Sequence, residues 1–286
     1  MADLHDVRYV RLGTRDLTAA IDFATRIIGL ELVRQEGGCA YFRSDNRDHT
    51  LCYFEGDPSD HTLAFELSDE DQLSQAAADL DAAEIQYRIG TSEECELRRV
   101  HEFITFKDLT GNKIELVWRP HASGRRYFPS RDAGITGFNH VGLCSTDPAR
   151  DEKLWTKVFN ARVSDWIGVS PLLRVNTIHH QIALFPTTRS GIQHINHQVE
   201  TIDDIMRNWY FLQEQGIKVV FGPGRHPTSG ARFLYFEGPE GMIYEYSCGV
   251  SAIEDEVNHR PRQFPAEPSG FCMWGSKPDI AEFKKD

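Results

Sequence analysis

Two similar stretches decide the fold: residues 7–12 read VRYVRL and residues 138–143 read FNHVGL. Each stretch alternates like a β-strand, is followed by an aspartate, and runs into a segment with helical periodicity. We predict these helices at residues 17–28 and 149–159. Similarity at a fixed offset indicates that the chain contains a duplicated unit.

Two further pairs of stretches support the duplication. Residues 62–67 (TLAFEL) and 194–199 (HINHQV) both precede acidic residues, which suit the first turn of a helix. Residues 106–115 (FKDLTGNKIE) and 236–245 (FEGPEGMIYE) both have the pattern of strand, glycine turn and strand. The chain is therefore predicted to consist of two homologous halves, each built from two smaller strand–helix–strands units.

The joint between the halves is rich in proline, glycine and serine, which marks a linker. We accordingly divide the chain into a first domain, a linker, a second domain and a polar, proline-containing extension that is expected to follow the surface. The predicted ranges are 1–120, 121–136, 137–249 and 250–286.

Composition indicates a soluble cytosolic protein. Apolar residues make up 40% of the chain and charged residues 26%, and the formal net charge is −12, which disfavours nucleic acid and anionic membranes as partners. No window approaches the roughly 18 apolar residues of a membrane-spanning helix, and the first residues lack the pattern of a secretory signal. The six cysteines contain no CxxC pair and are expected to be free thiols.

The duplication singles out three potential metal ligands. At three corresponding positions the second half has His140, His194 and Glu245, whereas the first half has Tyr9, Thr62 and Glu115. Two imidazoles and one carboxylate form the facial triad of non-haem Fe(II) oxygenases, which leaves positions open for a chelating substrate and O₂. A single histidine in a strand is more often a hydrogen-bonded core residue than a metal ligand. The prediction of a metal site therefore rests on the placement of all three residues at corresponding positions of the duplicated unit. His61 and His197 are expected to face away from the site, because successive strand residues alternate sides.

These residues make the second half resemble the type I extradiol ring-cleavage dioxygenases of the vicinal oxygen chelate superfamily. The matching stretches are 138–143 (FNHVGL), 176–184 (NTIHHQIAL), 194–204, 224–226 (GRH), 233–235 (FLY), 239–245 and 273–277 (MWGSK). The first half resembles the degenerate, metal-free domain of the same enzymes, so that the resemblance covers nearly the whole chain.

The resemblance implies an α+β fold in which paired βαβββ modules in each half curl into a funnel-like, partly closed barrel. It implies a mononuclear Fe(II), with Mn(II) as the substitute, and O₂ as co-substrate. The substrate would be a catechol, cleaved beside its two hydroxyls to a semialdehyde or dienoate, as in bacterial aromatic catabolism. Relatives commonly assemble and exposed sheet edges offer a route, so a homo-oligomer is expected.

The resemblance also implies roles for three further residues. His180 matches the acid/base histidine, and His226 and Tyr235 match residues that hydrogen-bond the substrate oxygens. Thr228 and Ser229 depart from the pattern, since relatives often have Asn and Asp there. This departure puts the hydrogen bonds around the site in doubt, but not the metal ligands.

Position near the ligands predicts the residues that line the substrate cavity. They are Gly142, Trp166, Leu172, Arg174, Ile182 and Phe185. Arg174 either faces an acidic substituent of the substrate or points outward as a solvated strand charge. Bicyclic catechols and substituted monocyclic catechols, carboxylated ones included, therefore both stay open.

Two alternatives belong to the same fold. A glyoxalase-like isomerase, epimerase or thiol transferase usually takes four metal ligands from both halves, whereas Tyr9 and Thr62 remove two ligands from the first half here. A metal-free binding protein would not need His140, His194 and Glu245 together.

Overall fold

The structure, a computed structural model, describes residues 1–283. Eight strands and three helices form the first half. The strands are β1 (Leu4–Thr14), β2 (Glu31–Glu36), β3 (Cys39–Arg43), β4 (Leu51–Glu55), β5 (His61–Leu67), β6 (Tyr87–Ile89), β7 (Glu102–Lys107) and β8 (Lys113–Trp118). The helices are α1 (Leu17–Asp22), which continues as a π-helix (Phe23–Ile28), α2 (Asp71–Ala82) and α3 (Ser92–Arg98).

The second half repeats this order and adds elements at its end. The strands are β9 (Ile135–Ser145), β10 (Arg162–Ile167), β11 (Ser170–Arg174), β12 (Ile182–Pro186), β13 (Ile192–Val199), β14 (Val219–Arg225), β15 (Arg232–Glu237), β16 (Ile243–Cys248) and β17 (Arg262–Phe264). The helices are α4 (Pro148–Lys157), α5 (Ile202–Glu214) and α6 (Pro268–Phe271), with short 3-10 turns at Pro239–Gly241 and Ala281–Phe283.

The two sheets have the same strand order, which confirms the duplication predicted from the sequence. The first sheet runs β2-β3-β4-β1-β5-β8-β7-β6. The second runs β14-β15-β16-β13-β9-β12-β11-β10-β17, which is the same order read in reverse with β17 added at the edge. Each half thus contains two βαβββ modules, whose first strands pair at the centre of the sheet.

The aspartate that follows each opening strand begins the next helix. Asp16 accepts a hydrogen bond from the Ala19 backbone N–H at 2.9 Å, and Asp147 accepts one from Arg150 at 3.1 Å. The first predicted helix, 17–28, is α-helical only to Asp22, and the second lies at Pro148–Lys157 instead of 149–159. None of the described helices is long and apolar enough to cross a membrane.

One helical segment of each half also reaches the sheet of the other half. Phe23 lies 5.4 Å from Tyr244, and Trp155 lies 5.3 Å from Phe65, measured between ring centroids. One apolar core therefore joins the halves. A separate apolar cluster occupies the other face of the second sheet and includes Leu172, Phe185, Tyr235, Phe271 and Phe283. One face of the second sheet therefore packs against the first half, and the other face lines a cavity.

His197 lies on the core face of β13, where its ring centroid is 6.2 Å from that of Phe138. It is 1% exposed, and neither ring nitrogen has a hydrogen-bond partner among the described residues. Burial lowers the pKa of His197 from 6.5 to about 4, because a charged imidazole would lose its hydration there. The predicted orientation away from His194 matches this placement.

We predict that His197 makes the protein less stable in acid. Between pH 6.5 and about 4 the unfolded chain binds a proton that the folded chain does not, so the free energy of unfolding falls as the pH falls through this window. The full depression corresponds to about 3 kcal/mol. In His197→Phe this loss should disappear, which urea unfolding at pH 7.5 and pH 4.5 would measure. Identical losses in both proteins would refute the prediction.

Candidate metal centre

Three neighbouring strands at the centre of the second sheet carry the predicted ligands. His140 is on β9, His194 on β13 and Glu245 on β16. The His140 Nε2 atom lies 3.0 Å from Glu245 Oε2, and His194 Nε2 lies 3.5 Å from the same oxygen. Each of the three residues offers one donor atom, and these atoms all lie within 4.8 Å of one another, as binding to a single metal ion requires. Among the described residues, no other group of at least three histidine, cysteine or acidic side chains converges in this way.

The burial of these atoms fits a bound cation. His140 is 3% exposed, and His194 and Glu245 are each 1% exposed. Within residues 1–283, His194 Nε2 and both carboxylate oxygens of Glu245 make no well-formed hydrogen bond. Leaving buried polar atoms unpaired is costly, and a metal ion would satisfy all three. Imidazole and carboxylate donors in this number suit Fe(II) or Mn(II).

Polar neighbours orient the two imidazoles. The Asn139 side-chain oxygen lies 3.1 Å from His140 Nδ1, and the Gln193 side-chain oxygen accepts a hydrogen bond from His194 Nδ1. Since each Nδ1 donates its proton, each Nε2 keeps its lone pair for the metal. Sequence reasoning missed Asn139 and Gln193; the available signal was that each directly precedes a ligand histidine.

Electrostatics favour the metal-binding protonation states. Burial lowers the pKa of His194 to about 3, so its ring is neutral near neutral pH. Burial alone would raise the pKa of Glu245, but the close approach of His140 and His226 holds that pKa well below its usual range. The carboxylate is therefore ionised, as a ligand must be.

His180 is held by a chain of buried groups that the sequence did not reveal. His179 Nε2 lies 2.9 Å from the Asp165 carboxylate, and His179 Nδ1 lies 3.0 Å from His180 Nδ1. Because Asp165 accepts the Nε2 proton, His179 Nδ1 accepts a hydrogen bond from His180. The other nitrogen of His180 then keeps its lone pair. The His180 ring packs 4.3 Å from the His140 ring, and burial lowers the pKa of His180 well below 6.5.

We predict that His179 positions His180 without touching the substrate. His179→Leu removes the acceptor of the His180 Nδ1 proton, so turnover should fall about 10- to 100-fold while metal content is unchanged. His179→Gln keeps a carbonyl oxygen that accepts the same hydrogen bond and should recover part of the rate. Steady-state kinetics with metal analysis would measure both. Equal losses in the two variants would show that the hydrogen bond has no role.

His226 and Tyr235 lie beside the ligands. His226 Nδ1 donates to the Phe271 carbonyl at 2.8 Å, which leaves Nε2 as an acceptor 3.2 Å from the Tyr235 hydroxyl. His226 Nε2 is also 3.5 Å from Glu245. Burial and the nearby Glu245 raise the pKa of Tyr235 well above 10, so the phenol keeps its proton and acts as a donor. The structure thus brings all six predicted ligand and catalytic residues together.

The cavity next to these residues is apolar. It is lined by Ile167, Leu172, His180, Ala183, Phe185, His194, His226, Thr228, Tyr235, Phe271 and Phe283. Leu172 and Phe185 are at the wall as predicted. Phe271 and Phe283 come from the extension, whose return to the site was not predicted. Thr228, one of the two departures from the family pattern, also lines the cavity.

Two residues that were predicted to line the cavity, Ile182 and Trp166, point away from it. Ile182 pairs with Leu173, and both belong to the core between the halves; Ala183, its neighbour, faces the cavity instead. Ile182 and Phe185 are three residues apart, so a regular strand cannot point both to one side. Trp166 donates from Nε1 to Glu152 of α4 at 2.8 Å, which directs it away from the cavity.

Gly142 and Arg174, which were also predicted to line the cavity, have structural roles instead. A Cβ on Gly142 would lie 2.4 Å from His194 Nδ1, so the missing side chain makes room for the ligand ring and not for the substrate. Arg174 donates to the Val163 carbonyl at 2.8 Å and forms an ion pair with Glu256. Its guanidinium is therefore occupied within the protein.

The first half closes the equivalent position with an ion pair. The Tyr9 hydroxyl donates to Glu115 at 2.6 Å, and Arg98 donates to the same carboxylate from Nε at 2.9 Å and Nη2 at 2.7 Å. In the strand register, Thr62 on β5 lies opposite Arg11 on β1, just as His194 on β13 lies opposite Gly142 on β9. A guanidinium thus supplies the positive charge that a cation would supply in the second half.

Comparison with known proteins agrees with this geometry. An iron-dependent extradiol dioxygenase of Rhodococcus jostii (strain RHA1) is 26% identical over 95% of this chain and 96% of its own. A halotolerant catechol dioxygenase superposes with a TM-score of 0.88 at 22% identity, over 99% of this chain and 97% of its own. The Mn(II)-bound glyoxalase from Novosphingobium aromaticivorans superposes with a TM-score of 0.87 at 22% identity, over 100% and 95%.

These relatives confirm the resemblance to extradiol dioxygenases. The family model matches twice, at residues 7–116 and 137–246, which are the two halves. Since the two matches cover most of the chain, the protein belongs to the Glyoxalase/Bleomycin resistance protein/Dioxygenase superfamily.

Proposed function

We propose that this enzyme cleaves the aromatic ring of a catechol beside its two hydroxyls, with O₂, at one metal ion held by His140, His194 and Glu245. The observation that supports this proposal is the convergence of donor atoms from His140, His194 and Glu245 beside His180 and an apolar cavity, where His194 Nε2 and both Glu245 oxygens have no hydrogen-bond partner among the described residues. We further propose that residues 137–249 form the catalytic domain and residues 1–120 a metal-free domain. The relative from Rhodococcus jostii is named an iron-dependent extradiol dioxygenase, which favours Fe(II), with Mn(II) as the substitute.

The residues divide the proton chemistry between them. A metal ion held by His140, His194 and Glu245 would favour ionisation of a hydroxyl of the diol and would supply the site at which O₂ is activated. Tyr235, protonated, donates a hydrogen bond to a substrate oxygen. His226, whose Nε2 is an acceptor, takes the proton from a hydroxyl of the diol. His180 keeps a free lone pair through its contact with His179, so it takes the proton of the other hydroxyl and returns it to an oxygen of the product as the ring opens. The apolar wall excludes water from these steps.

The wall of the cavity favours an uncharged catechol. No arginine or lysine is among its described lining residues, and Arg174 is held by Glu256. A carboxylate on the substrate would be buried without a partner, which costs several kcal/mol. We therefore propose unsubstituted, alkyl-substituted or aryl-substituted catechols, and not carboxylated ones.

The cavity must open before a ring can enter. Its volume is about 20 Å³, little more than one water molecule needs, whereas a benzene-sized ligand needs on the order of 150 Å³. Phe271 and Phe283 belong to short helical turns of the extension, and their rings stack 4.9 Å apart over the cavity. We infer that displacement of these two rings admits the substrate.

Oxygen uptake by Fe(II)-reconstituted protein tests the proposal. We expect uptake of one O₂ per catechol, with a yellow product, for catechol, 3-methylcatechol and 2,3-dihydroxybiphenyl. For 3,4-dihydroxyphenylacetate we expect kcat/KM to be at least about 100-fold lower than for catechol, because its carboxylate would be buried without a partner. Equal values would overturn the proposed substrate class. No uptake with any catechol, despite bound iron, would favour a glyoxalase-like reaction at the same metal site.

A further inference from the structure

The first half has a cavity of its own, about 580 Å³ in volume, which is a usual size for a small-molecule site. Thr62, Glu115 and Arg98 line part of it. It therefore lies at the first half's counterpart of the metal centre. Because Arg98 already neutralises Glu115, this cavity has no free carboxylate for a metal at that position. Its chemistry must come from its other residues.

One buried cation of this cavity has no carboxylate partner. Three lining cations form ion pairs: Arg98 with Glu115 at 2.7 Å, Arg88 with Glu94 at 2.6 Å and Lys113 with Asp60 at 2.6 Å. Arg11 also lines the cavity and is 8% exposed, yet no carboxylate within residues 1–283 forms an ion pair with it. The Cys52 sulfur lies 3.5 Å from Nη1, and the Cys39 thiol also contacts the Arg11 side chain. Glu115 also attracts Arg11, but Arg98 already forms an ion pair with that carboxylate, so two guanidinium groups share one acidic group. An excess of buried positive charge is costly, which favours binding of an anion.

The backbone holds Arg11 in a fixed place. It is on the central strand β1, between Cys52 on β4 and Thr62 on β5. Its guanidinium lies 5.5 Å from the ring centroid of Phe54, which lines the same cavity. A planar guanidinium matches the two oxygens of a carboxylate, and a site built on strands requires little reorganisation on binding. Tyr87 and Phe106 add two further aromatic side chains to the lining.

We propose that this cavity binds a small aromatic carboxylate, whose acid group pairs with Arg11 and whose ring lies against Phe54 and Tyr87. The site is separate from the metal centre and does not depend on the ring-cleavage activity. The metal centre excludes carboxylates through its uncharged wall, whereas the first half selects them through a buried arginine. The duplicated fold thus serves two ligand chemistries.

Fluorine NMR titration of the metal-loaded protein with 4-fluorobenzoate tests this proposal, with 4-fluorobenzamide as the uncharged analogue. We expect saturable binding of the carboxylate and at least about tenfold weaker binding of the amide. Arg11→Met should weaken carboxylate binding by about 10- to 100-fold. Arg88→Met is the matched control, because Arg88 is an exposed arginine of the same cavity that Glu94 already neutralises. Its affinity should be unchanged.

Two further variants locate the binding site. His194→Ala should keep carboxylate binding, since that variant alters only the metal centre. Arg11→Lys keeps the charge without the planar fork and should give an intermediate affinity, which separates recognition from any loss of folding in Arg11→Met. Equal binding of amide and carboxylate, or binding lost in His194→Ala but kept in Arg11→Lys and Arg11→Met, would overturn the proposal. Absence of binding would also overturn it and would leave the neighbouring thiols as the counter-charge of Arg11.

Discussion

Replacement of His194 by alanine is expected to abolish tight metal binding and, with it, all ring cleavage. The variant removes one of three donors, and the remaining His140 and Glu245 cannot enclose the ion. Loss of an outer hydrogen-bond partner alone typically weakens metal binding about 10- to 100-fold, so loss of a ligand should exceed about 100-fold. Metal analysis after dialysis, together with oxygen uptake, would measure both effects.

The first half offers the matched control for this experiment. Tyr9 occupies the position that corresponds to His140, and its hydroxyl is bound to Glu115 at 2.6 Å. Tyr9→Phe should therefore keep stoichiometric metal and full turnover. Stoichiometric iron in His194→Ala would contradict the proposed ligand set, and loss of iron in Tyr9→Phe would place the metal in the wrong half.

His180→Ala should have the next largest effect, through turnover alone. His180 is not among the three converging donors, but it packs 4.3 Å from His140 and has a fixed tautomer. Loss of a general acid/base typically costs about 10²- to 10⁴-fold in rate, which we expect in kcat with metal content and anaerobic catechol binding preserved. Single-turnover measurements with metal analysis would separate these quantities.

His180→Asn provides the control for lost packing, because asparagine keeps a polar side chain of smaller size but cannot exchange a proton near neutral pH. Its kcat should be as low as that of His180→Ala. Full turnover in His180→Asn would mean that His180 acts only as a hydrogen-bonding or packing residue. Loss of metal in either variant would instead make His180 part of the metal site.

The duplication explains why so much of the fold and of the metal centre could be predicted. Each half served as a control for the other, so that His140 and His194 stood out against Tyr9 and Thr62. The same comparison predicted the opening strands of the repeated units, which the structure places at the centre of each sheet. The family resemblance then supplied the roles of His180, His226 and Tyr235, which remain predictions until they are measured.

What could not be predicted depends on contacts between distant residues or on local strand phase. Asp165 reaches His179 across 14 positions, and no local pattern marks that pair. Phe283 reaches the cavity from the end of the described chain, which only tertiary packing decides. Ile182 was predicted to line the cavity from its position near the ligands, but the alternation of β12 turns Ile182 to the core and Ala183 to the cavity. The oligomeric state and the cellular location stay predictions.

Mass analysis of the product formed from 3-methylcatechol under ¹⁸O₂ tests the central claim most directly. We predict a yellow ring-opened product, cleaved beside the diol, that carries both atoms of one O₂ molecule and is not formed by His194→Ala. A colourless product cleaved between the two hydroxyls, or a product without label, would contradict ring cleavage of the extradiol type at this metal centre.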